Sequence, residues 1–176
     1  MNTLKSYLEL IRYPLFAIPI VATLPGALIA SEGHLNWRVG VTLLTAMLGY
    51  FAGMMKNDYF HREQDAIVNS HRPIPSGRLT PRCVHNTASC IYILCIILGF
   101  TLHIKAGLTV IVLVMISHSY NAILKERGIW GSICLPVGIG LLNVFGALAV
   151  SGHVPRLVWY AFAATTLYDF GTHIIT

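Results

Sequence analysis

Six apolar runs, each 18 to 21 residues long, recur along the chain: 13–30, 38–56, 84–104, 106–124, 131–150 and 156–176. A helix needs roughly 20 predominantly apolar residues to cross a bilayer, so each run predicts one membrane span. The connections at 31–37, 104–106 and 151–155 are short. Spans one and two, three and four, and five and six therefore read as helical hairpins opening toward the same side. The pieces left between hairpins are 57–83, long and polar, and 125–130. Pro14, Pro19 and Pro25 in the first run and Pro136 in the fifth should bend or loosen their helices, which a membrane protein tolerates where neighbours re-satisfy the backbone. The prediction is an all-α, polytopic transmembrane helical bundle of about six spans, forming one domain over 1–176.

Charge orients this bundle. Lys5, Arg12, Lys56, Arg62, Arg72, Arg78, Arg82, Lys125 and Arg127 fall at one side, against Arg38, Lys105 and Arg156 at the other. Nine against three places the N-terminus and the 57–83 loop in the cytoplasm. This bias also accounts for the net charge of +5 without any nucleic acid partner. Charged residues are only 11% of the chain and hydrophobic ones 55%, where a soluble domain carries about 25% charged residues. An integral, multi-pass membrane protein is expected. No cleavable signal peptide stands out, because no basic leader and small-residue cleavage site flank the first run.

Against this background "NDYFHREQD", 57–65, is anomalous: three of the seven acidic residues, Asp58, Glu63 and Asp65, lie within it. Continued as helix at about 100° per residue, Asn57, Asp58, His61 and Asp65 fall at about 0°, 100°, 40° and 80°. They share one face, with Arg62 off it. Side-chain oxygens on one face suit a hard cation such as Mg2+, which is held by one or two carboxylates plus water and phosphate oxygens. "HRPIPSGRLTPR", 71–82, follows. Its prolines and Ser-Gly force a non-helical turn that would hold Arg72 and Arg78 near the carboxylates. Carboxylates, metal and arginines together suit a diphosphate. Anchoring of these arginines to lipid headgroups is the alternative, and position alone leaves both open.

These residues resemble a known family. "NDYFHREQDAIVNSHRPIPSGRLTP" is similar to the first aspartate-rich region of the UbiA superfamily of intramembrane prenyltransferases, N-D-x-x-D-x-x-x-D followed by an R-P-x-P-S-G loop. The general resemblance, including "SYNAILKERG" at 119–128, runs along essentially the whole chain. It implies a nine-span helical bundle and Mg2+-dependent transfer of a prenyl group from its diphosphate to a hydrophobic acceptor. Carried over by position, Asn57, Asp58, His61 and Asp65 would form the metal face, with Asp58 and Asp65 essential to catalysis. Arg72, Tyr120 and Lys125 would contact the diphosphate.

Two departures accompany the resemblance. His61 stands where the pattern has its central aspartate, and neutral imidazole is a poor Mg2+ ligand. The family's second aspartate-rich motif ends its sixth span, and here only Asp169 and His173 stand near that position. Asn57 comes 19 residues after Arg38, but Asp169 only 13 after Arg156. Six residues are about 9 Å of helix, so Asp169 is expected inside the bilayer as a candidate for the acceptor cavity. The chain is expected to stop before the second motif. Expected partners are then a prenyl diphosphate, an aromatic, ring or lipid-type acceptor, the bilayer and a complementing C-terminal half. A terpene cyclase on the same scaffold and a catalytically dead, truncated membrane protein are the alternatives.

The remaining candidates are weaker. Cys83, Cys90, Cys95 and Cys134 form no CxxC pair, and His85, His103, His118 and His153 share no metal spacing; both sets read as structural. Trp37, Trp130 and Trp159 lie near predicted span ends, as in an aromatic belt. No nucleophile–base pairing and no glycine-rich phosphate loop are evident.

Overall fold

The computed structural model describes residues 3–175, with side chains to Thr172, and is helical throughout this range apart from its connections. Helix α1 (Thr3–Leu10) leads through a 3-10 turn (Tyr13–Leu15) into α2 (Ala17–Ala30). Then follow α3 (Trp37–Phe60), the short α4 (Arg62–Val68), α5 (Pro81–Leu102), α6 (Ile104–Ser119), α7 (Ile129–Ser151) and α8 (Arg156–Ile175). Among the described residues, five segments are long and apolar enough to span a membrane: 13–30, α3, α5, α6 with the turn after it, and α7. The sixth predicted span is a helix, α8, but it is not among those five. Asp169 and several hydroxyl and aromatic residues dilute its apolar character.

Local signals explain the helix ends. Asn36 Oδ1 accepts a hydrogen bond from Val39 N at 3.1 Å and caps α3. Pro81 opens α5 at a position where a missing N–H costs nothing. His103 ends α5 and starts α6, its Nδ1 accepting from Lys105 N at 3.1 Å. Two basic residues at this end bond to helix C-terminal carbonyls. Arg38 Nη1 donates to Leu102 O at 2.9 Å and Lys105 Nζ to Gly152 O at 3.2 Å, where the helix dipole favours cations. Inside the spans, Thr23, Thr42 and Thr45 each donate to the carbonyl four residues back at 2.7 Å, so their hydroxyls are satisfied without water.

The predicted hairpins α5–α6 and α7–α8 pack along their length, but the most extensive partner of α2 is α7 and that of α3 is α5. Small residues make the α2–α7 approach close. A Cβ added to Gly26 would lie 1.9 Å from Asn143 O, and one added to Gly146 would lie 2.6 Å from Thr23 O. Membrane helices associate through such small-residue contacts. Gly26→Ala is therefore expected to destabilise the bundle by about 1–3 kcal/mol, the usual cost of overpacking. Gly40→Ala, with nothing within 4 Å of the added Cβ, should be neutral. Thermal unfolding in detergent checks this pair, and equal midpoints would mean that the two backbones do not meet as closely as described.

Among the described residues, two apolar clusters form the core. One lies toward the Arg38 end of the spans, around Phe145, Leu102, Val110 and Val158. The other sits at the opposite end from Arg38, where Leu10 and Ile11 of the N-terminal segment and Ile74 and Leu79 of the 69–80 loop pack against Met55, Val84 and Tyr92. Burying Ile74 and Leu79 contributes about 1.5–3 kcal/mol each. This end holds the polar cluster, and the two buried side chains fix the loop that carries Arg72.

Candidate functional site

The row of polar residues on α3 is not one continuous helix. The helix ends at Phe60, His61 leaves helical geometry at φ −96° and ψ 12°, and α4 restarts at Arg62. This corrects the expectation of a single stacked face. Asp58 nevertheless remains close to Asp65, because both reach the same guanidinium. Arg72 Nη1 lies 2.7 Å from Asp65 Oδ2 and 3.6 Å from Asp58 Oδ1. Asn69 Nδ2 donates to the other Asp65 oxygen at 3.1 Å. The loop holds Arg72 through its own backbone: Arg72 N bonds to Asn69 O, Ser76 N to Arg72 O and Leu79 N to Pro73 O, all at 2.9–3.0 Å. Gly77, at φ +73°, makes the reversal that a side chain would resist.

Arg78 behaves differently from expectation. It turns away from the carboxylates, grips Glu9 on α1 at 2.6 and 2.8 Å, and donates to His71 O. Glu9 was available because α1 folds back over the loop. The Arg78 hydrogen bond holds the Glu9 carboxyl below the usual carboxylate range.

A residue with no motif to announce it takes the place beside Asp58. Arg12 Nη2 lies 3.6 Å from Asp58 Oδ1, and its backbone is left-handed at φ +52°. That conformation costs a non-glycine residue about 1–2 kcal/mol, and the surrounding contacts sustain it. The only trace in the sequence is a lone arginine at the mouth of the first span.

From the other side, a π-helical turn at Tyr120–Leu124 follows α6, a feature frequent at functional sites. It delivers Lys125, whose Nζ donates to Asn57 Oδ1 at 3.0 Å. Tyr120 is half-buried in the same turn and lies within electrostatic reach of Asp169, so α8 brings that carboxylate toward the π turn. His173 lies outside the described side chains. His61 faces a pocket of about 230 Å3 lined with Phe60, Asn121, Lys125 and Glu126. Its Nδ1 is 3.8 Å from Glu126 Oε1, which also accepts from Gln64. Burial and the neighbouring Lys125 lower the His61 pKa, with Gln64, Glu126 and Asp65 opposing, so the imidazole is neutral near pH 7.

Among the described residues no group of three His, Cys, Asp or Glu side chains is arranged to hold a metal ion. Asp58 Oδ1 is buried and has no hydrogen-bond partner, and Asn57 and Asp65 add hard oxygens beside it. This donor set fits Mg2+, an ion that takes one or two protein carboxylates and completes its shell with water and phosphate oxygens. It does not provide a closed cage.

The model of the UbiA prenyltransferase family matches residues 19–176. The chain is 31% identical over 148 residues to digeranylgeranylglyceryl phosphate synthase of Methanosphaera stadtmanae, covering 82% of this chain and 53% of that protein. It spans between half and three-fifths of the length of the curated relatives it matches. A solved structure from work on digeranylgeranylglyceryl phosphate synthase in membranes superposes with TM-score 0.90 at 24% identity, over 99% of this chain and 62% of that one. A UbiA homologue from Archaeoglobus fulgidus, bound to DMAPP and Mg2+, superposes with TM-score 0.78 at 16% identity over 93% of this chain and 61% of that one. These two establish the shared fold.

Proposed function

Since the chain belongs to the UbiA prenyltransferase family, we propose that its polar end binds the diphosphate of a prenyl donor and transfers the prenyl group to a glyceryl phosphate lipid. The observation that carries this reading is the guanidinium of Arg72, which touches Asp65 at 2.7 Å and lies 3.6 Å from Asp58. Arg12 and Lys125 stand on either side. Three cations suit a diphosphate, and the two carboxylates among them suit a divalent ion that would add to the positive charge facing it. The acceptor class is suggested by the relatives named digeranylgeranylglyceryl phosphate synthase.

In the proposed reaction the bond from the prenyl carbon to the diphosphate oxygen breaks and its electron pair leaves with the diphosphate. A hydroxyl oxygen of the acceptor forms the new bond to that carbon, and its proton passes to the departing diphosphate. Arg72, Arg12 and Lys125 neutralise the leaving group as its charge grows. Mg2+, held by Asp58 and Asp65 with Asn57, would supply further charge neutralisation when bound. The apolar spans shield the developing carbocation from water.

The chain reconstituted in lipid nanodiscs is expected to retain labelled geranylgeranyl diphosphate in the presence of Mg2+. With a complementing C-terminal half and a geranylgeranylglyceryl phosphate acceptor added, it is expected to form prenylated glyceryl phosphate. Cyclic hydrocarbon or alcohol formed without acceptor would indicate a cyclase instead. Tight binding without turnover, even with the C-terminal half supplied, would indicate the catalytically inactive alternative that His61 and the missing second motif favour.

A further inference from the structure

On the side of α3 turned toward α5, the helix carries a charge that the Asp58–Asp65 cluster does not use. Lys56 is buried, at 4% exposure. Its ammonium donates to Ser89 Oγ at 2.8 Å and to His85 O at 3.4 Å, and it lies 3.3 and 3.4 Å from the two ring nitrogens of His85. Among the described residues no carboxylate forms an ion pair with it. A buried cation without a counter-charge is costly and attracts an anion.

The positive charge extends outward from there. The His85 ring packs on Tyr59 at 4.4 Å between centroids, and the Arg62 guanidinium lies 4.9 Å over the Tyr59 ring. This stack forms one wall of an open pocket of about 390 Å3, completed by Pro81, Arg82 and Asn86. Arg62 pairs with the exposed Glu63 at 3.1 Å, whereas Arg82 makes no hydrogen bond or ion pair among the described residues. The pocket also sits at the start of the 22-residue α5, where Thr80 makes no side-chain cap. The first backbone amides of α5 therefore lack helical partners and add partial positive charge at the rim.

Below the pocket the character of α5 changes. Arg82, Asn86, Cys90, Ile93 and Ile97 follow one another at three- and four-residue steps and so lie on one helix face. Ile93 and Ile97 are 57% and 54% exposed. One stripe thus runs from a cationic pocket at the membrane boundary to an apolar surface within the span. That polarity matches a phosphate headgroup above an acyl or prenyl chain. We propose that this pocket, formed by Arg62, Arg82, His85 and the start of α5 and backed by Lys56, binds the phosphate of a glycerolipid. The site is separate from the Asp58–Asp65 cluster and does not rest on prenyl transfer. Its ligand is either the acceptor lipid or a bilayer phospholipid, which share this chemistry.

Native mass spectrometry of the intact chain tests the assignment, with dialkylglycerol phosphate and the matching phosphate-free dialkylglycerol as probes. The phosphate lipid should be retained at least tenfold more than the neutral one. The double variant Arg62→Ala/Arg82→Ala should lose that preference by at least tenfold. Arg82 is exposed, and Arg62, with 36% of its side-chain surface exposed, gives up only local contacts with Tyr59 and Glu63, so the variant should fold, and its Mg2+-dependent retention of geranylgeranyl diphosphate should stay within twofold. Equal retention of both lipids, an undiminished preference in the double variant, or displacement by millimolar inorganic phosphate would each overturn the proposal. Competition then identifies the source within a supporting result. Displacement by geranylgeranylglyceryl phosphate but not by phosphatidylglycerol marks an acceptor site, and displacement by either marks a general lipid site.

Discussion

Asp58→Ala is expected to weaken Mg2+-dependent retention of geranylgeranyl diphosphate by roughly 10- to 100-fold, as the loss of one charge-assisted contact of about 1.5–3 kcal/mol implies. The same substitution should leave the fold intact. Asp58 is 5% exposed, and its Oδ1 makes no hydrogen bond but two ion contacts of 3.6 Å, with Arg12 and Arg72, so the relief of removing a buried carboxylate offsets the loss of those two contacts. Asp65→Ala should cause a similar loss of binding for a less simple reason. It strips Arg72 of its 2.7 Å partner and Asn69 of an acceptor, so the loop at 69–80 should loosen as well. The stability cost should be about 1–3 kcal/mol, below that of a fully buried pair because Arg72 keeps 29% of its side-chain surface exposed. Equilibrium binding of labelled diphosphate, with and without Mg2+, reads the first effect, and the unfolding midpoint reads the second. Undiminished binding in both variants would remove the two carboxylates from the proposed site.

How far the sequence announces this arrangement depends on how local its causes are. Span positions follow from runs of apolar residues, and the helices at 13–30, α3, α5, α6 and α7 answer to them. The turn that carries Arg72 is legible because proline and Ser-Gly dictate it residue by residue. Helical periodicity placed Asn57, Asp58 and Asp65 together, but it assumed an unbroken helix and could not foresee the break at His61. Arg12 is invisible to any pattern, since its left-handed backbone is sustained by contacts between segments far apart in sequence. Arg78 failed as a prediction for the opposite reason. Its loop is legible as a turn, yet nothing in the turn indicates that Glu9 lies within reach. Lys125 came only from the resemblance, and its bond to Asn57 spans 68 positions.

His61→Asp is the change expected to improve the proposed site. The neutral imidazole contributes no charge, and its Nε2 is buried without a hydrogen-bond partner. A carboxylate there would stand between Asp58 and Asp65 in sequence and within the field of Lys125. It would add a hard oxygen donor of the kind Mg2+ prefers. Mg2+ should bind about tenfold or more tightly, equivalent to at least about 1.4 kcal/mol. The gain has an opposite sign without metal. A fourth carboxylate beside Asp58, Asp65 and Glu126 repels its neighbours, so the metal-free variant should unfold at a lower temperature than the wild type. The signature is a lower midpoint in EDTA together with a larger upward shift on adding Mg2+, since a ligand stabilises the state that binds it. If His61→Asp unfolded at the wild-type temperature in EDTA and showed the same Mg2+ shift, position 61 would not face the metal, and the role assigned to the 57–65 cluster would rest on Asp58 and Asp65 alone.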